Sequence, residues 1–369
     1  MYDNLQMRQH LTELLSRRRN YRQEIKNLIN QYQYVVFYGC GSILASIIDA
    51  WNFHIGRKID YCCDSDSSKW GQEFCNAKCI SPYDLIQMKD KCAVFVTIGD
   101  FEPIFEYLIE SGFSSVNQIY KYDLDASELL TKISHDHLTD KLCQTYELLA
   151  DEKSQKVFEA IVNRVLGSGK DPYVMAAVFE GDQYFPADIV KLSPHENFVD
   201  IGAFNGDTIK IFLEQSRANF DRVFSFEVDR NNFALLQENI TQMPHNERIK
   251  IFNVGIWDSE CDITYSVGNS QSTIGDGDGR GHVIPLDEAL QDENITFVKM
   301  DIEGAEIRAL MGAKNIIRSQ KPTLAICIYH DFQHLWEIPL YLKSLVPEYK
   351  IYLRHHTKLE YETVCYAVI

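Results

Sequence analysis

The stretch VDIGAFNGDT, residues 199–208, decides the fold of the second half of the chain. It has the pattern of an apolar strand that ends at Asp200, a tight turn with Gly202 and Gly206, and a helix that starts at Asp207. Glycine at the two turn positions lets the backbone leave the sheet and approach a ligand without a colliding Cβ. The helix start presents free N–H groups. Such a turn is typical of nucleotide-binding doubly wound sheets, but the spacing alone is generic.

The segments downstream extend this pattern into a sheet. VFSFEVD (223–229) carries Glu227 at its end, where a carboxylate can accept both hydroxyls of a ribose. Apolar runs alternating with helical patterns predict a seven-stranded doubly wound α/β sheet with a final hairpin-like pair. The predicted strands are 198–201, 223–228, 250–254, 296–301, 323–329, 349–353 and 363–368.

An insertion, CDITYSVGNSQSTIGDGDGRGHVIP (261–285), separates the third and fourth of these strands. Its Gly/Asp/Ser composition predicts a loop flanked by two short strands. A long loop at this level usually covers a site, and the alternative is a surface excursion. Before the first strand, Tyr184 and Phe185 either lie over the ligand mouth or belong to the core.

Composition limits the classes of function. A chain of 369 residues suggests two domains, and a net charge of -17 argues against a nucleic-acid partner. No apolar run is long enough to span a bilayer, and the N-terminus lacks the apolar core of a signal peptide, so we expect a cytoplasmic protein. Ten cysteines then predict reduced, buried thiols. We expect no zinc site at Cys62, Cys63, Cys75 and Cys79, because CxxC pairs are absent.

Four regions follow along the chain. Residues 1–30 predict a helical arm with a basic run at 17–19, which packs on the first domain or on a second subunit and makes a homodimer credible. Residues 31–122 predict a small Rossmann-like α/β domain with about three strands. Residues 123–190 predict a helical connector, with Asp151 as N-cap and Gly167 past a helix end. Residues 191–369 contain the seven predicted strands.

The small domain has a glycine turn of its own. Gly39, Gly41 and Ser42 follow an apolar strand, and Asp64 ends the next one. This is an incomplete dinucleotide fingerprint, which leaves open either a second nucleotide or nucleotide-sugar site or a degenerate scaffold. The unit is similar to the small Rossmann-like domains that precede some sugar-modifying enzymes.

The motifs VDIGAFNGDT, FSFEVD and NVGIWD, with VKMDIEGAE (298–306) and LAICIYH after them, resemble the FkbM-type S-adenosylmethionine-dependent methyltransferases. The likeness covers about residues 181–369, and the K-x-D-x-E-G-x-E block carries most of its specificity. It implies a seven-stranded methyltransferase sheet and methyl transfer to an oxygen, frequently a sugar hydroxyl of a polysaccharide, glycolipid or secondary metabolite. The acceptor would be a small molecule or a glycan.

The resemblance also implies a cofactor site. The glycine turn would pass under the methionine part of S-adenosylmethionine, Glu227 would hold the ribose, and Asn253 would lie near the adenine. Asp200 and Asp207 would accept from the donor's ammonium or from nearby backbone N–H groups. The cofactor-binding positions are Asp200, Gly202, Ala203, Phe204, Gly206, Asp207, Thr208, Glu227, Val228, Asn253, Val254, Gly255 and Asp301.

Three residues are candidates for the chemistry itself. Asp301 ends the fourth strand at the edge where ligands bind, and Glu303 follows in the turn. With Glu306, these acids either hydrogen-bond sugar and donor or hold a divalent cation. We expect a metal-free site, because no fourth oxygen ligand is evident. His330 ends the fifth strand and is the best candidate for a general base, the alternative being a hydrogen-bonded structural histidine.

Two other classes of function are alternatives to methyl transfer. An NAD-dependent oxidoreductase acting through the front domain would be favoured by a complete G-x-G-x-x-G and a Tyr-x-x-x-Lys pair, and the sequence has neither. A non-catalytic nucleotide-binding scaffold of a glycan pathway would be favoured by loss of the acids, which are present. Methyl transfer is the best-supported function.

Overall fold

The computed structural model describes residues 2–16, 20–119, 121–167, 173–265, 279–359 and 361–369. The basic run at 17–19 and the middle of the insertion lie outside these ranges. The chain begins with helices α1 (Asn4–Ser16) and α2 (Tyr21–Ile29), as the apolar spacing predicts.

A six-stranded sheet follows. Its order is β3-β4-β2-β1-β5-β6, with all neighbours parallel except the β3–β4 pair. The expectation of about three strands was wrong, because β3, β4 and β6 are too short to give an apolar pattern. The elements are β1 (Tyr34–Tyr38), α3 (Ser42–His54), β2 (Tyr61–Cys63), β3 (Glu73–Phe74), β4 (Ala77–Ile80), α4 (Pro82–Ile86), β5 (Cys92–Val96), α5 (Glu102–Glu110) and β6 (Val116–Gln118).

Three helices connect this sheet to the next: α6 (Lys121–Lys132), α7 (His135–Leu148) and α8 (Glu152–Leu166). The predicted caps of α8 are confirmed, since the Asp151 side chain accepts from the backbone N–H of Ser154 and Gly167 follows the last turn. Met7, Leu11 and Leu15 of α1 are buried in the same core cluster as the apolar side chains of α7 and α8. The N-terminal helix therefore packs on its own chain.

The second sheet has the seven predicted strands, in the order β15-β16-β14-β13-β7-β8-β9. Six of them point in the same direction, and β16 runs antiparallel to its two neighbours, β14 and β15. The two strands predicted at the flanks of the insertion are β11 and β12, and they form a small sheet with β10, which precedes the insertion. The strands are β7 (Asn197–Ile201), β8 (Arg222–Phe226), β9 (Ile249–Phe252), β10 (Gly255–Ile256), β11 (Cys261–Tyr265), β12 (Gly279–Ile284), β13 (Phe297–Met300), β14 (Thr323–Cys327), β15 (Lys350–His355) and β16 (Thr363–Val368).

Successive side chains of the strands in the second sheet point to opposite faces, and an apolar layer covers each face. Val199 and Ile201 of β7 face the layer that contains the connector helices, whereas Phe198 faces the other, with Phe185, Phe212 and Phe297 around it.

The helices of this half of the chain are α9 (Asp207–Gln215), α10 (Arg230–Gln242), α11 (Leu286–Ala289), α12 (Glu306–Gly312), α13 (Lys314–Gln320) and α14 (His334–Leu345). Within the described ranges, no helix combines the length and apolar character needed to cross a bilayer.

Candidate active site

A cavity of about 340 Å³ lies at the carboxyl ends of β7, β8, β13 and β14. This is the edge where open α/β sheets bind ligands. Apolar side chains form one part of its wall, and carboxylates with tyrosines form another. The lining residues used below are Gln183, Tyr184, Gly202, Phe204, Asp207, Thr208, Phe226, Glu227, Val228, Gly255, Ile256, Val283, Lys299, Asp301, Glu303, Tyr329 and Glu362.

The glycines of the turn after β7 serve packing inside the protein. Gly202 has φ +78°, and a Cβ there would overlap the carbonyl oxygen of Asp301. Gly206 has φ +87°, and its Cβ would press on Leu236 of α10. The expectation that a Cβ would collide with the ligand is therefore corrected: the collisions are with neighbouring strands and helices, which hold the turn close to the sheet.

Glu227 follows β8 and ties the turn to it. Its Oε2 accepts from the backbone N–H of Phe204 at 2.9 Å, and its Oε1 accepts from that of Asp229 at 2.7 Å. Burial raises the pKa of Glu227 to about 7, although both hydrogen bonds oppose the rise. Each carboxylate oxygen can accept a second hydrogen bond, so Glu227 can also receive hydroxyl donors from the cavity.

Beneath the turn, Asp200 and Lys299 form a buried ion pair. They are register partners on β7 and β13, and Lys299 Nζ lies 3.0 Å from Asp200 Oδ1. Lys299 Nζ also donates to the carbonyl of Gly202 at 2.7 Å. Burial alone would lower the pKa of Lys299, but Asp200 and Asp301 raise it, so the lysine is charged. The pair holds the turn against the end of β13.

Two tyrosines position Asp301, which follows β13. The Tyr184 hydroxyl donates to Asp301 Oδ2 at 2.9 Å, and the Tyr329 hydroxyl lies 3.2 Å from Oδ1. Tyr184 and Phe185 both belong to the buried core, and Tyr184 also lines the cavity. The Asp301 carboxylate faces the cavity in a fixed orientation.

His330 lies behind the cavity among carboxylates. Its Nδ1 is 2.9 Å from Glu306 Oε1, and its Nε2 is 3.4 Å from Asp301 and 3.5 Å from Glu303. Burial would lower the pKa of His330, but Glu306, Glu303 and Asp301 raise it to about 10. A histidine that is protonated at neutral pH cannot remove a proton from an acceptor. The raised pKa favours the alternative of a structural histidine, and the assignment of His330 as the base stays a prediction.

Glu306 is the main partner of that cation. It is fully buried at the start of α12 and accepts from the backbone N–H of Ile302 at 3.0 Å. Burial would raise its pKa, but His330, with a contribution from His334, lowers it to about 2. Glu303, with φ +56°, turns its side chain into the cavity.

The structure brings most of the predicted site residues together. Gly202, Phe204, Asp207, Thr208, Glu227, Val228, Gly255, Asp301 and Glu303 line the cavity. Asp200 is buried beneath it, and Asn253 donates to the carbonyl of Glu227, which places both in supporting positions. Ala203, Gly206, Val254 and His330 are not among its lining residues.

Two sets of potential metal ligands occur among the described residues. Atoms of Asp301, Glu306 and His330 lie within 4.8 Å of one another, and so do atoms of Asp301, Cys327 and Glu362. In the first set the imidazolium of His330 already offsets the charge of one of the two carboxylates. The prediction of a metal-free site stays a prediction.

Several cavity residues were not predicted from the sequence, among them Lys299, Tyr329 and Glu362. Lys299 could have been found as the charged neighbour of Asp200 once β7 and β13 are paired. Glu362 precedes an antiparallel final strand, so it returns to the edge where the parallel strands end.

The front glycine turn has a different environment. Asp64 Oδ2 accepts from the backbone N–H of Cys40 at 2.9 Å and from Lys69 Nζ at 2.8 Å. Gly39 has φ +115° and packs against Thr97 and Ile98, whereas a Cβ on Gly41 would meet nothing within 4 Å. The acid that would bind a ribose is thus neutralised by a lysine of the same domain, which favours the scaffold alternative for Gly39, Gly41, Ser42 and Asp64.

Comparison with known proteins shows which family this part of the chain matches. Residues 200–358 match the sequence model of the methyltransferase FkbM domain. This part of the chain is an FkbM methyltransferase domain. The match includes the glycine turn, Glu227, Asp301, Glu303 and His330, as the resemblance implied. Methyltransferases of this kind take the methyl group from S-adenosylmethionine.

Solved structures support the fold. The methyltransferase FkbM from Methylobacillus flagellatus KT is 22% identical and superposes with a TM-score of 0.76, covering 99% of this chain and 100% of that chain. At this identity the likeness establishes a shared architecture, and it includes the front domain. No curated protein sequence matched the chain.

Two further structures superpose on about half of the chain. A precorrin-6y C5,15-methyltransferase from Geobacter metallireducens GS-15 is 12% identical, with a TM-score of 0.31, and covers 48% of this chain and 80% of that chain. TrmK of M. capricolum, solved with S-adenosylhomocysteine, is 12% identical, with a TM-score of 0.28, and covers 47% and 61%. TM-scores this low do not establish a structural relationship with this chain.

Proposed function

We propose that the protein is an S-adenosylmethionine-dependent O-methyltransferase that acts on a hydroxyl of a small-molecule or glycan acceptor, such as a sugar. The observation that carries the proposal is the charge of the cavity. Carboxylates of Asp207, Glu227, Asp301 and Glu303 line it, and Lys299, the single lysine or arginine among its described lining residues, is paired with Asp200.

This set of groups suits S-adenosylmethionine better than a dinucleotide. The donor brings a sulfonium, an ammonium and two ribose hydroxyls, all of which interact favourably with carboxylates. The diphosphate of NAD would meet the same carboxylates without a free cation. Phe226, Val228 and Ile256 offer the apolar wall that an adenine ring needs.

The residues divide into two groups by position. Glu227 would hold the ribose, and Asp207 with the turn at Gly202 would hold the methionine part. When bound, the donor supplies a methyl group that is already activated. The protein must therefore orient an acceptor oxygen toward that group and remove its proton, and these roles would fall to the polar groups around Asp301, which include Glu303 and the tyrosines 184 and 329.

The test is calorimetric titration of the purified protein with S-adenosylmethionine, S-adenosylhomocysteine, NAD and a panel of nucleotide-sugars. We expect binding of the first two, weakened about tenfold or more in Glu227→Gln because one charge-assisted hydrogen bond is lost. The matched control is Asp64→Asn in the front turn, which should bind like the wild type.

The outcomes separate the candidate functions. Failure of the wild type to bind either methionine compound would overturn the proposal. Binding of a nucleotide that is lost in Asp64→Asn alone would assign a ligand to the front domain and revive the oxidoreductase or nucleotide-sugar alternatives. An acceptor screen with methyl-labelled donor, starting from neutral sugars, then tests transfer to oxygen.

A further inference from the structure

Glu362 occupies a position in the cavity that the family resemblance did not suggest. It immediately precedes β16, which runs antiparallel to β14, so it reaches the edge where β13 and β14 end. Its backbone has φ +64°, and its side chain lines the cavity beside Asp301. The cavity therefore has a pair of neighbouring carboxylates in addition to Glu227.

The two carboxylates share one hydroxyl. The Tyr329 oxygen is 3.2 Å from Asp301 Oδ1 and 3.3 Å from Glu362 Oε1. Tyr329 has a single hydroxyl hydrogen, so it can donate to only one of these oxygens at a time. Two carboxylates this close do not both stay ionised without cost, and a single added proton relieves the repulsion.

The surroundings of the two acids differ. Asp301 Oδ2 accepts from the buried Tyr184 hydroxyl. Glu362 accepts from the side-chain amide of Gln183, and the other groups that face it are Asp301, Cys327, Tyr329 and the His330 imidazolium. Burial, with Asp301 adding to the effect, raises the pKa of Glu362 to about 7. A proton is thus readily exchanged at this position near neutral pH.

We propose that Glu362 is the general base of the methyl transfer, with Asp301 and Tyr329 as positioning residues. This inference rests on the proposed function. A lone pair of the acceptor oxygen forms the new O–CH₃ bond, the C–S bond breaks with its electrons going to sulfur, and the acceptor's proton passes to Glu362 Oε. The products are the methyl ether, neutral S-adenosylhomocysteine and a protonated Glu362, which loses the proton to solvent.

The acceptor is not needed for a first test, because the donor and its product differ in charge. A sulfonium beside Glu362 favours the ionised carboxylate, whereas a thioether does not. Binding of S-adenosylmethionine should therefore release about half a proton at pH 7, and binding of S-adenosylhomocysteine should release fewer. Glu227 also titrates near pH 7, but it would hold the ribose of both compounds, so its contribution cancels in the difference.

The measurement is isothermal titration calorimetry in two buffers with different ionisation enthalpies. In Glu362→Gln the difference in proton release between the two compounds should vanish while both still bind. Glu337→Gln, on α14 and outside the cavity, is the matched control and should behave as the wild type. In the wild type alone, the affinity ratio of donor to product should rise as the pH increases through about 7.

Three results would overturn the inference: equal proton release for the two compounds in the wild type, a difference that persists in Glu362→Gln, or loss of donor binding in that variant, which would make Glu362 a cofactor ligand. Absence of binding of either compound to the wild type would instead overturn the proposed function. If Glu362→Gln does not fold, the pH dependence of the ratio between donor and product affinities in the wild type still tests the inference.

Discussion

The turn after β1 and the turn after β7 are built from the same parts. Each follows a buried parallel strand, starts a helix, and donates a backbone N–H to an acid at the end of the next strand: Cys40 to Asp64 in the front sheet, and Phe204 to Glu227 in the second. The two turns differ in the other groups that contact the acid. Lys69 neutralises Asp64, whereas Glu227 opens onto a cavity of about 340 Å³.

The difference shows that a glycine turn with a downstream acid is enough to form the strand-to-helix connection. It is not enough to create a ligand-binding site. In both turns the first glycine, Gly39 or Gly202, has a positive φ because the turn packs on a neighbouring strand. Whether a ligand also binds depends on the charges left free around the acid. Substitutions at matched positions of the two turns can separate these contributions.

The largest effect is expected for the lysines. Lys299→Met leaves Asp200 as a buried, unpaired carboxylate and should lower the free energy of unfolding by about 3–5 kcal/mol. Lys69→Met removes a partly exposed ion pair and should cost about 1 kcal/mol or less. Urea denaturation followed by circular dichroism measures both. Equal losses would mean that the two turns are stabilised in the same way.

A smaller effect is expected for the glycines. Gly202→Ala places a Cβ against the carbonyl of Asp301 at φ +78°, which should cost about 3 kcal/mol and weaken donor binding. Gly41→Ala meets no atom within 4 Å and should stay within about 0.5 kcal/mol of the wild type. Thermal unfolding with and without S-adenosylmethionine checks both variants. A stable, donor-binding Gly202→Ala would refute the packing role of that glycine.

The sequence predicted the parts of the molecule that depend on local pattern. All seven strands of the second sheet were found from apolar runs, and Asp301, Glu303 and Glu227 from their positions at strand ends. The short strands β3, β4 and β6 were missed because two to four residues show no periodicity. Boundaries between the four regions and the roles of individual site residues stay predictions.

What could not be predicted depends on contacts between distant segments. Tyr184, Tyr329 and Glu362 meet at Asp301 from three separate segments, and the sequence gives no sign of that meeting. The same holds for His330, whose position at a strand end suggested a base. Its charge depends on Glu306, which is 24 residues earlier in the chain, so the location of His330 at a strand end could not give its protonation state.

A further effect depends on pH and separates the two regions again. The folded-state pKa of His330 is raised from 6.5 to about 10, so its stabilising contribution is complete below pH 6.5 and is lost as the pH rises through 10. The stability difference between wild type and His330→Gln should therefore shrink between pH 6.5 and 10, by at most about 4 kcal/mol. Over that range the difference between wild type and Lys69→Met should stay constant, because Asp64 raises the pKa of Lys69 above 10.5. Urea denaturation at pH 6.5, 8 and 10 measures both differences, and a flat profile for His330→Gln would show that the imidazole is neutral and restore it as a candidate base.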